Sequence, residues 1–231
     1  MASAVIGEIA GELAMALLDG ALGQFGTKIF NHIFGKRSGT PDYFDDVYKT
    51  IKQIVQNELE QDTIDTLNGE IKGIQDWVIN IYNPRKDSGA GKKELYNMIQ
   101  ENPAYDMAVH MLAVLQQGRC AELGLGVFMI GAGMHLTLLQ ELALVDSLVS
   151  HPSKSSYVVS VARYADEYAA FVDATYNSIE KKRIQAMDAK DAKSPECVQR
   201  VMDDLAKSLH DPKEVATIWR TLIHQPLPTQ I

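Results

Sequence analysis

The feature that most constrains this chain is a run of 18 residues without charge, from Leu123 to Gln140, bounded by Glu122 and Glu141. As a helix rising about 1.5 Å per residue, the run would be roughly 27 Å long, close to the ~30 Å hydrocarbon layer of a bilayer. Glycine, histidine, threonine and glutamine dilute its hydrophobicity, so the segment is able to enter a membrane but is not obliged to. In water, a helix that is apolar on every side is stable only where other helices surround it.

The rest of the chain has the apolar spacing of amphipathic helices and almost none of the alternation typical of strands. In one long stretch, apolar residues recur in steps of three and four: Ile64, Leu67, Ile71, Ile74, Val78 and Ile81. Prolines fall between the periodic stretches, where a missing N–H is tolerated. We therefore predict an all-α fold, a bundle of about seven antiparallel helices around a central hydrophobic helix at about 121–149.

The predicted connections are short. Residues 83–94 (NPRKDSGAGKKE) are expected to form a flexible basic loop, which trypsin-like proteases would be able to cleave. Asn102 and Pro103 favour the start of a helix that reaches about Gln117. A further long helix is predicted at about 154–187, followed by one from Pro195 and a short one from Pro212.

Composition excludes several classes of protein. Hydrophobic residues make up 46% of the 231 residues and charged residues 23%, which is typical of a chain with a real core and not of a disordered one. The net charge of −8, with no long basic block, argues against a nucleic-acid partner.

No pattern typical of an enzyme or a metal site occurs. Cys120 and Cys197 have 76 residues between them and no neighbouring Cys or His cluster, so we expect two thiols on helix faces; a bridge between them stays open. The stretch 88–93 lacks the first glycine and the hydroxyl residue of a phosphate loop. We expect no catalytic residue, no cofactor and no metal.

After Glu122, the predicted central helix contains three further ionisable residues, His135, Glu141 and Asp146. His135 is interpreted as a hydrogen-bonded core histidine, with a pH-sensitive element as the alternative. Glu141 and Asp146 are expected to be solvated or paired with basic residues. On the following long helix, three tyrosines are expected to pack near one another: Tyr164, Tyr168 and Tyr176.

The helix before the central one has a mixed face. A polar stripe runs beside an apolar one; the polar stripe includes Asp106, His110 and Gln117, and the apolar stripe includes Met107, Met111 and Val114. This pattern suits a surface helix of a bundle, and it also suits a helix that lines a pore after membrane insertion.

Several segments in sequence order resemble one family. GAGMHLTLLQEL (131–142) is similar to the central fifth helix of the insecticidal three-domain crystal (Cry) delta-endotoxins. FDDVYKTIKQIVQNELEQDTIDTLNGEIKGIQDWVINIY (44–82) resembles the second and third helices of that family, Asn102-Pro103-Ala104 the start of the fourth, and YADEYAAFVDATYNSIEKKR (164–183) the sixth. The resemblance covers about residues 3–185 and rests on the shared order of these elements.

The resemblance implies a pore-forming toxin module whose helical hairpin, about residues 103–149, inserts into the membrane of a target cell. Three sets of residues then acquire roles. The lipid-facing set is Leu123, Leu125, Val127, Phe128, Met129, Ile130, Leu136, Leu138 and Leu139. The pore-lining polar set is Asp106, His110 and Gln117. The set that packs the central helix is Gly124, Gly126, Gly131, Gly133 and His135.

The resemblance also implies partners and a location. We expect a lipid membrane as the main partner, homo-oligomers on insertion, and a separate receptor-binding chain, because the β-rich receptor-binding domains of the family are not seen in residues 1–231. Those residues are expected to form a single helical-bundle domain. The acidic N-terminal stretch does not resemble a signal peptide, so we expect synthesis in the cytoplasm and action at a target-cell membrane after release. The alternative is a soluble interaction or scaffold bundle that shares the fold without forming pores.

Overall fold

A computed structural model describes residues 73–74, 76–102, 104–117, 121–209 and 212–227. The helices predicted before residue 73 lie outside these residues. Within them the secondary structure is helical: α1 (Asn83–Asp87), α2 (Lys92–Gln100), α3 (Ala104–Leu115), α4 (Ala121–Val145), α5 (Ser156–Gln185), α6 (Pro195–Leu209) and α7 (Pro212–His224). The all-α prediction is confirmed.

Helix α4 is the centre of the bundle, as predicted. Helices α2, α3 and α5 all pack against it, and α7 packs against α5. The enclosure explains why a helix that is apolar on every side is stable in water, since its neighbours take the place of solvent.

Helix α4 ends at Val145, four residues earlier than the sequence indicated. The carboxylate of Asp146 causes the chain to turn, because its Oδ1 accepts the backbone N–H of Leu148 at 2.9 Å and its Oδ2 accepts the hydroxyl of Ser155 at 2.7 Å. Ser155 in turn is the N-cap of α5, where its hydroxyl accepts the backbone N–H of Tyr157. Asp146 is therefore buried and hydrogen-bonded, and no basic side chain in the described ranges forms an ion pair with it.

The expected flexible loop at 83–94 is wrong. Residues 83–87 form α1, and α2 begins at Lys92, so only a short turn separates two helices. Gly89 has φ of +85°, a conformation that favours glycine, and its N–H is donated to the carbonyl of Lys86. The serine and glycines of this segment form the turn, and Asn83, Lys92 and Lys93 belong to the helices on either side of it. The apolar spacing of the sequence does not indicate α2.

A π-helical turn, Val78–Tyr82, precedes α1 and changes the predicted apolar face. Ile74 and Val78 are buried as expected, but Ile81 is 53% exposed and Tyr82 is buried instead. A π turn contains one more residue than an α turn, since each N–H bonds to the carbonyl five residues earlier, and here Asn83 N–H bonds to Val78 O. The extra residue rotates Ile81 out of the core and Tyr82 and Asn83 into it.

Candidate functional site

The candidate site is the central helix α4 together with the side chains that hold it. Every residue from Gly124 to Ala143 is buried. The predicted lipid-facing side chains with described positions thus pack inside the protein: Leu125, Val127, Phe128, Met129, Ile130, Leu136, Leu138 and Leu139. The side chain of Leu123 lies outside the described part of the structure.

Length and composition make α4 suitable for a bilayer. Within the described ranges one helix qualifies as a span, Gly124–Val145, and 94% of its most hydrophobic window is buried by the protein itself. Soluble core helices meet the same criterion, so suitability for a membrane depends on whether the surrounding helices release it.

Helix α3 approaches α4 closely at Gly131. A Cβ atom at that position would overlap the terminal methyl group of Met111 and would lie 3.4 Å from Cδ2 of Leu112. Met111 and Leu112 are both buried in this contact. The other three glycines of the predicted packing set, Gly124, Gly126 and Gly133, are also buried.

His135 lies at the centre of an aromatic cluster between α4 and α5. Its Nδ1 is 2.6 Å from the hydroxyl of Tyr168, and its ring meets that of Tyr164 edge to face, with centroids 4.8 Å apart. Tyr164 and Tyr168 stack on each other, as expected, whereas Tyr176 lies farther along α5 beneath Lys213.

The surroundings of His135 disfavour its charged form. The side chain is fully buried, and the guanidinium of Arg163 lies over the neighbouring Tyr164 ring at 4.4 Å. Burial first, and the positive charge of Arg163 second, lower the pKa of His135 to about 4. In the bundle, therefore, this histidine is neutral at pH 7, as a hydrogen-bonded core histidine should be.

Glu141 is the charged group inside the apolar window, and it pairs with a basic residue, as expected, while Tyr82 is a further partner that the sequence did not indicate. Its Oε1 accepts the hydroxyl of Tyr82 at 2.5 Å and the ammonium of Lys86 at 2.6 Å. The Glu141 side chain is 1% exposed and that of Lys86 is 28% exposed. Burial, with the carboxylate beside it, raises the pKa of Tyr82 well above its usual value, so Tyr82 stays a proton donor.

The other polar side chains of α4 find partners as well. Thr137 Oγ1 donates to the carbonyl of Gly133 at 2.7 Å, within the helix. Gln140 Nε2 donates to the carbonyl of Pro226 at 2.9 Å, so the segment after α7 reaches the central helix. The hydroxyl of Thr137 and the amide of Gln140 are thus bonded within the bundle, whereas Oε2 of Glu141 is buried and has no hydrogen-bond partner among the described residues.

The polar stripe of α3 faces outward. Asp106, His110 and Gln117 are exposed, whereas Val114, on the neighbouring stripe, and Leu115 are buried. The side chain of Met107 lies outside the described residues. In this state α3 is a surface helix with its polar stripe in water.

Among the described residues there is no group of three or more His, Cys, Asp or Glu side chains able to hold a metal ion. Cys197 is a free, partly buried thiol, and Cys120 lies outside the described residues. The buried acid and the buried histidine of α4 are used to hold the helix in place.

The chain matches a known protein family. The family model described as delta endotoxin, N-terminal domain, matches residues 11–206. The match continues beyond the resemblance seen in the sequence at about 185 and includes most of α6, while α7 lies outside it. No curated protein and no solved structure matches the chain.

Proposed function

Because this chain belongs to the delta endotoxin N-terminal domain family, we propose that it perforates membranes by inserting the hairpin of α3 and α4, about residues 103–149. The observation that carries the proposal is the enclosure of a bilayer-length apolar helix by amphipathic neighbours. Such a helix is held in water by contacts with protein, and lipid offers its side chains an equivalent environment.

The physical chemistry of insertion supports the hairpin as the inserting unit. A helix satisfies its own backbone hydrogen bonds, so it can leave the bundle for lipid without exposing unpaired N–H and C=O groups. In the membrane, the lipid-facing set of α4 would meet acyl chains. The polar stripe of α3, Asp106, His110 and Gln117, would have to face an aqueous lumen, because polar side chains at membrane depth are costly elsewhere.

One observation favours the alternative, a soluble interaction bundle. The 12 residues of α3 span about 18 Å, well short of a ~30 Å hydrocarbon layer. A perforating hairpin therefore needs α3 to lengthen into its flanking residues or the bilayer to thin around it.

Release of a trapped dye from liposomes over a range of pH tests the proposal. The key variant carries cysteines at Phe128 of α4 and Phe171 of α5, whose rings lie 4.4 Å apart, in a background with Cys120→Ser and Cys197→Ser. Bridging the two cysteines with a short bifunctional thiol reagent links the hairpin covalently to α5, a helix that does not insert in this proposal.

We expect the unbridged variant to release dye and the bridged variant to release none. The matched control is each single-cysteine variant treated with the same reagent, which should keep its activity. If the bridged protein releases dye as fast as the unbridged one, the hairpin is not the inserting unit. If the unmodified protein releases no dye at any pH and instead binds a protein partner, the scaffold function replaces the proposed one.

A further inference from the structure

The turn between α1 and α2 concentrates positive charge on an acidic protein. Residues 83–94 carry four cations, Arg85, Lys86, Lys92 and Lys93, and two carboxylates, Asp87 and Glu94, for a net charge of +2 in a chain whose total is −8. Arg85, Lys92 and Lys93 are exposed, and Lys86 is partly so.

The fold holds these cations on one small surface. Arg85 forms an ion pair with Glu94 across the turn, which brings the end of α1 against the first turn of α2. Two backbone bonds close the same turn, from Gly89 N to Lys86 O at 3.0 Å and from Ala90 N to Arg85 O at 3.3 Å. The result is a compact basic projection, here called the basic turn (residues 85–93).

Lys86 links the basic turn to the central helix. Its ammonium donates a hydrogen bond to Oε1 of Glu141 in α4 at 2.6 Å, while its side chain is 28% exposed. Any anion that draws Lys86 outward leaves the Glu141 carboxylate buried without its countercharge. A buried charge that loses its partner is strongly unfavourable. Loss of the ion pair would therefore lower the free-energy cost of releasing the central helix from the bundle.

We propose that the basic turn is a docking surface for the headgroups of anionic phospholipids, and that Lys86 couples docking to release of α4. Phosphate groups of a negatively charged bilayer attract nearby lysine and arginine side chains within about a Debye length. The headgroups compete with Glu141 for Lys86, and the competition takes place where the protein meets the membrane. The coupling rests on the proposed function; the docking does not.

Binding to vesicles tests the docking surface separately from perforation. The full chain is sedimented with vesicles of phosphatidylcholine alone or with 30% phosphatidylserine, on the order of a physiological anionic surface. We expect binding to the anionic vesicles, weakened by salt. The variant Lys92→Gln/Lys93→Gln should bind about 25-fold more weakly, because each lysine near an anionic surface contributes about a fivefold change in affinity.

The matched control is Lys190→Gln/Lys193→Gln, which removes two exposed lysines at a distant turn before α6. This variant should bind like the unmodified protein. Equal loss of binding in both variants would mean that only the total charge of the protein matters, and would contradict a docking surface at the basic turn. Equal binding of the unmodified protein to both vesicle types would contradict it as well.

Dye release tests the coupling. The double variant Lys86→Met/Glu141→Leu removes both charges together and so leaves no buried carboxylate behind. At equal amounts of vesicle-bound protein, its release should no longer rise with the phosphatidylserine fraction, whereas release by the unmodified protein should. A double variant that keeps the full dependence on anionic lipid refutes the coupling.

The two proposals fail differently. If the unmodified protein binds anionic vesicles through the basic turn but releases no dye, perforation is wrong and the docking surface stands. If it releases dye equally from vesicles without anionic lipid, perforation stands and the docking surface is wrong.

Discussion

The imidazole of His135 and the phenol of Tyr168 meet with 2.6 Å between Nδ1 and the hydroxyl oxygen, although 33 residues separate them in sequence. The contact joins the central helix to α5 through a polar bond inside an otherwise apolar core. Tyr168 continues the chain of contacts outward, since its ring meets that of Trp219 from α7 at 6.3 Å.

Acid should weaken the bundle through His135. Its pKa in the fold is about 4, below the ordinary value of 6.5, so the unfolded chain binds more protons than the folded one between these pH values. The contribution of the neutral histidine is fully present above pH 6.5 and is lost as pH falls towards 4. Urea unfolding at pH 7.0, 5.5 and 4.5 measures this loss. His135→Gln, which cannot be protonated, should show a smaller decrease; an identical decrease would exclude His135 as its source.

Tyr168→Phe should lower the free energy of unfolding by about 1–2 kcal/mol. The variant keeps the ring packing but removes the hydroxyl that bonds Nδ1, and a buried group that loses its partner costs about 1–3 kcal/mol. A double-mutant cycle with His135→Gln isolates the pair. Additive losses in that cycle would show that the two side chains do not interact.

Gly131→Leu should destabilise the packing of α3 on α4 by about 1–3 kcal/mol, since overpacking a filled core forces neighbours to shift. The obstructing group is the methyl end of Met111. The second variant, Gly131→Leu/Met111→Ala, should recover part of the loss by opening space at the same contact. Thermal unfolding compares the three proteins, and failure of the double variant to recover any stability would place the strain elsewhere.

Lys86→Met alone should be more damaging than the loss of the whole ion pair. It leaves the Glu141 carboxylate buried, a change that costs about 3–5 kcal/mol in fully buried pairs. We expect about 2 kcal/mol, because Lys86 is partly exposed and water can take over some of its role. Lys86→Met/Glu141→Leu should be clearly more stable than the single variant. Urea unfolding checks the order of the two, and the reverse order would contradict a buried, paired carboxylate.

Asp106→Lys should change ion selectivity and leave the bundle intact. Asp106 is exposed on α3, so its replacement should alter the free energy of unfolding by less than about 0.5 kcal/mol. In planar bilayers, the variant should shift selectivity from cations towards anions if the stripe lines a lumen. Glu167→Lys, an equal charge change at an exposed position of α5, is the control and should leave selectivity unchanged.

Local sequence patterns predict much of the bundle correctly. The predicted helix at about 154–187 is found as Ser156–Gln185, and the helix starts at Pro195 and Pro212 are found as predicted. Proline and the serine cap mark these boundaries through their own backbone chemistry, which needs no distant partner.

Local pattern failed where a distant group set the geometry. Ile81 continues the apolar spacing of its stretch, yet the π turn at Val78–Tyr82 places Tyr82 in the core, where Glu141 accepts its hydroxyl. Glu141 is 59 residues from Tyr82. Helical periodicity in the sequence cannot predict a contact between two residues so far apart in the chain.

The residues alone establish the helical class and the need to enclose residues 123–140, because an uncharged helix of that length cannot face water on any side. The contacts that hold the enclosing helices in place depend on the tertiary structure. Lys86 meets Glu141 and Tyr168 meets His135 because separate helices cross there. Hydrophobic burial requires neighbours without specifying which, whereas a hydrogen bond or ion pair requires particular atoms within about 3 Å.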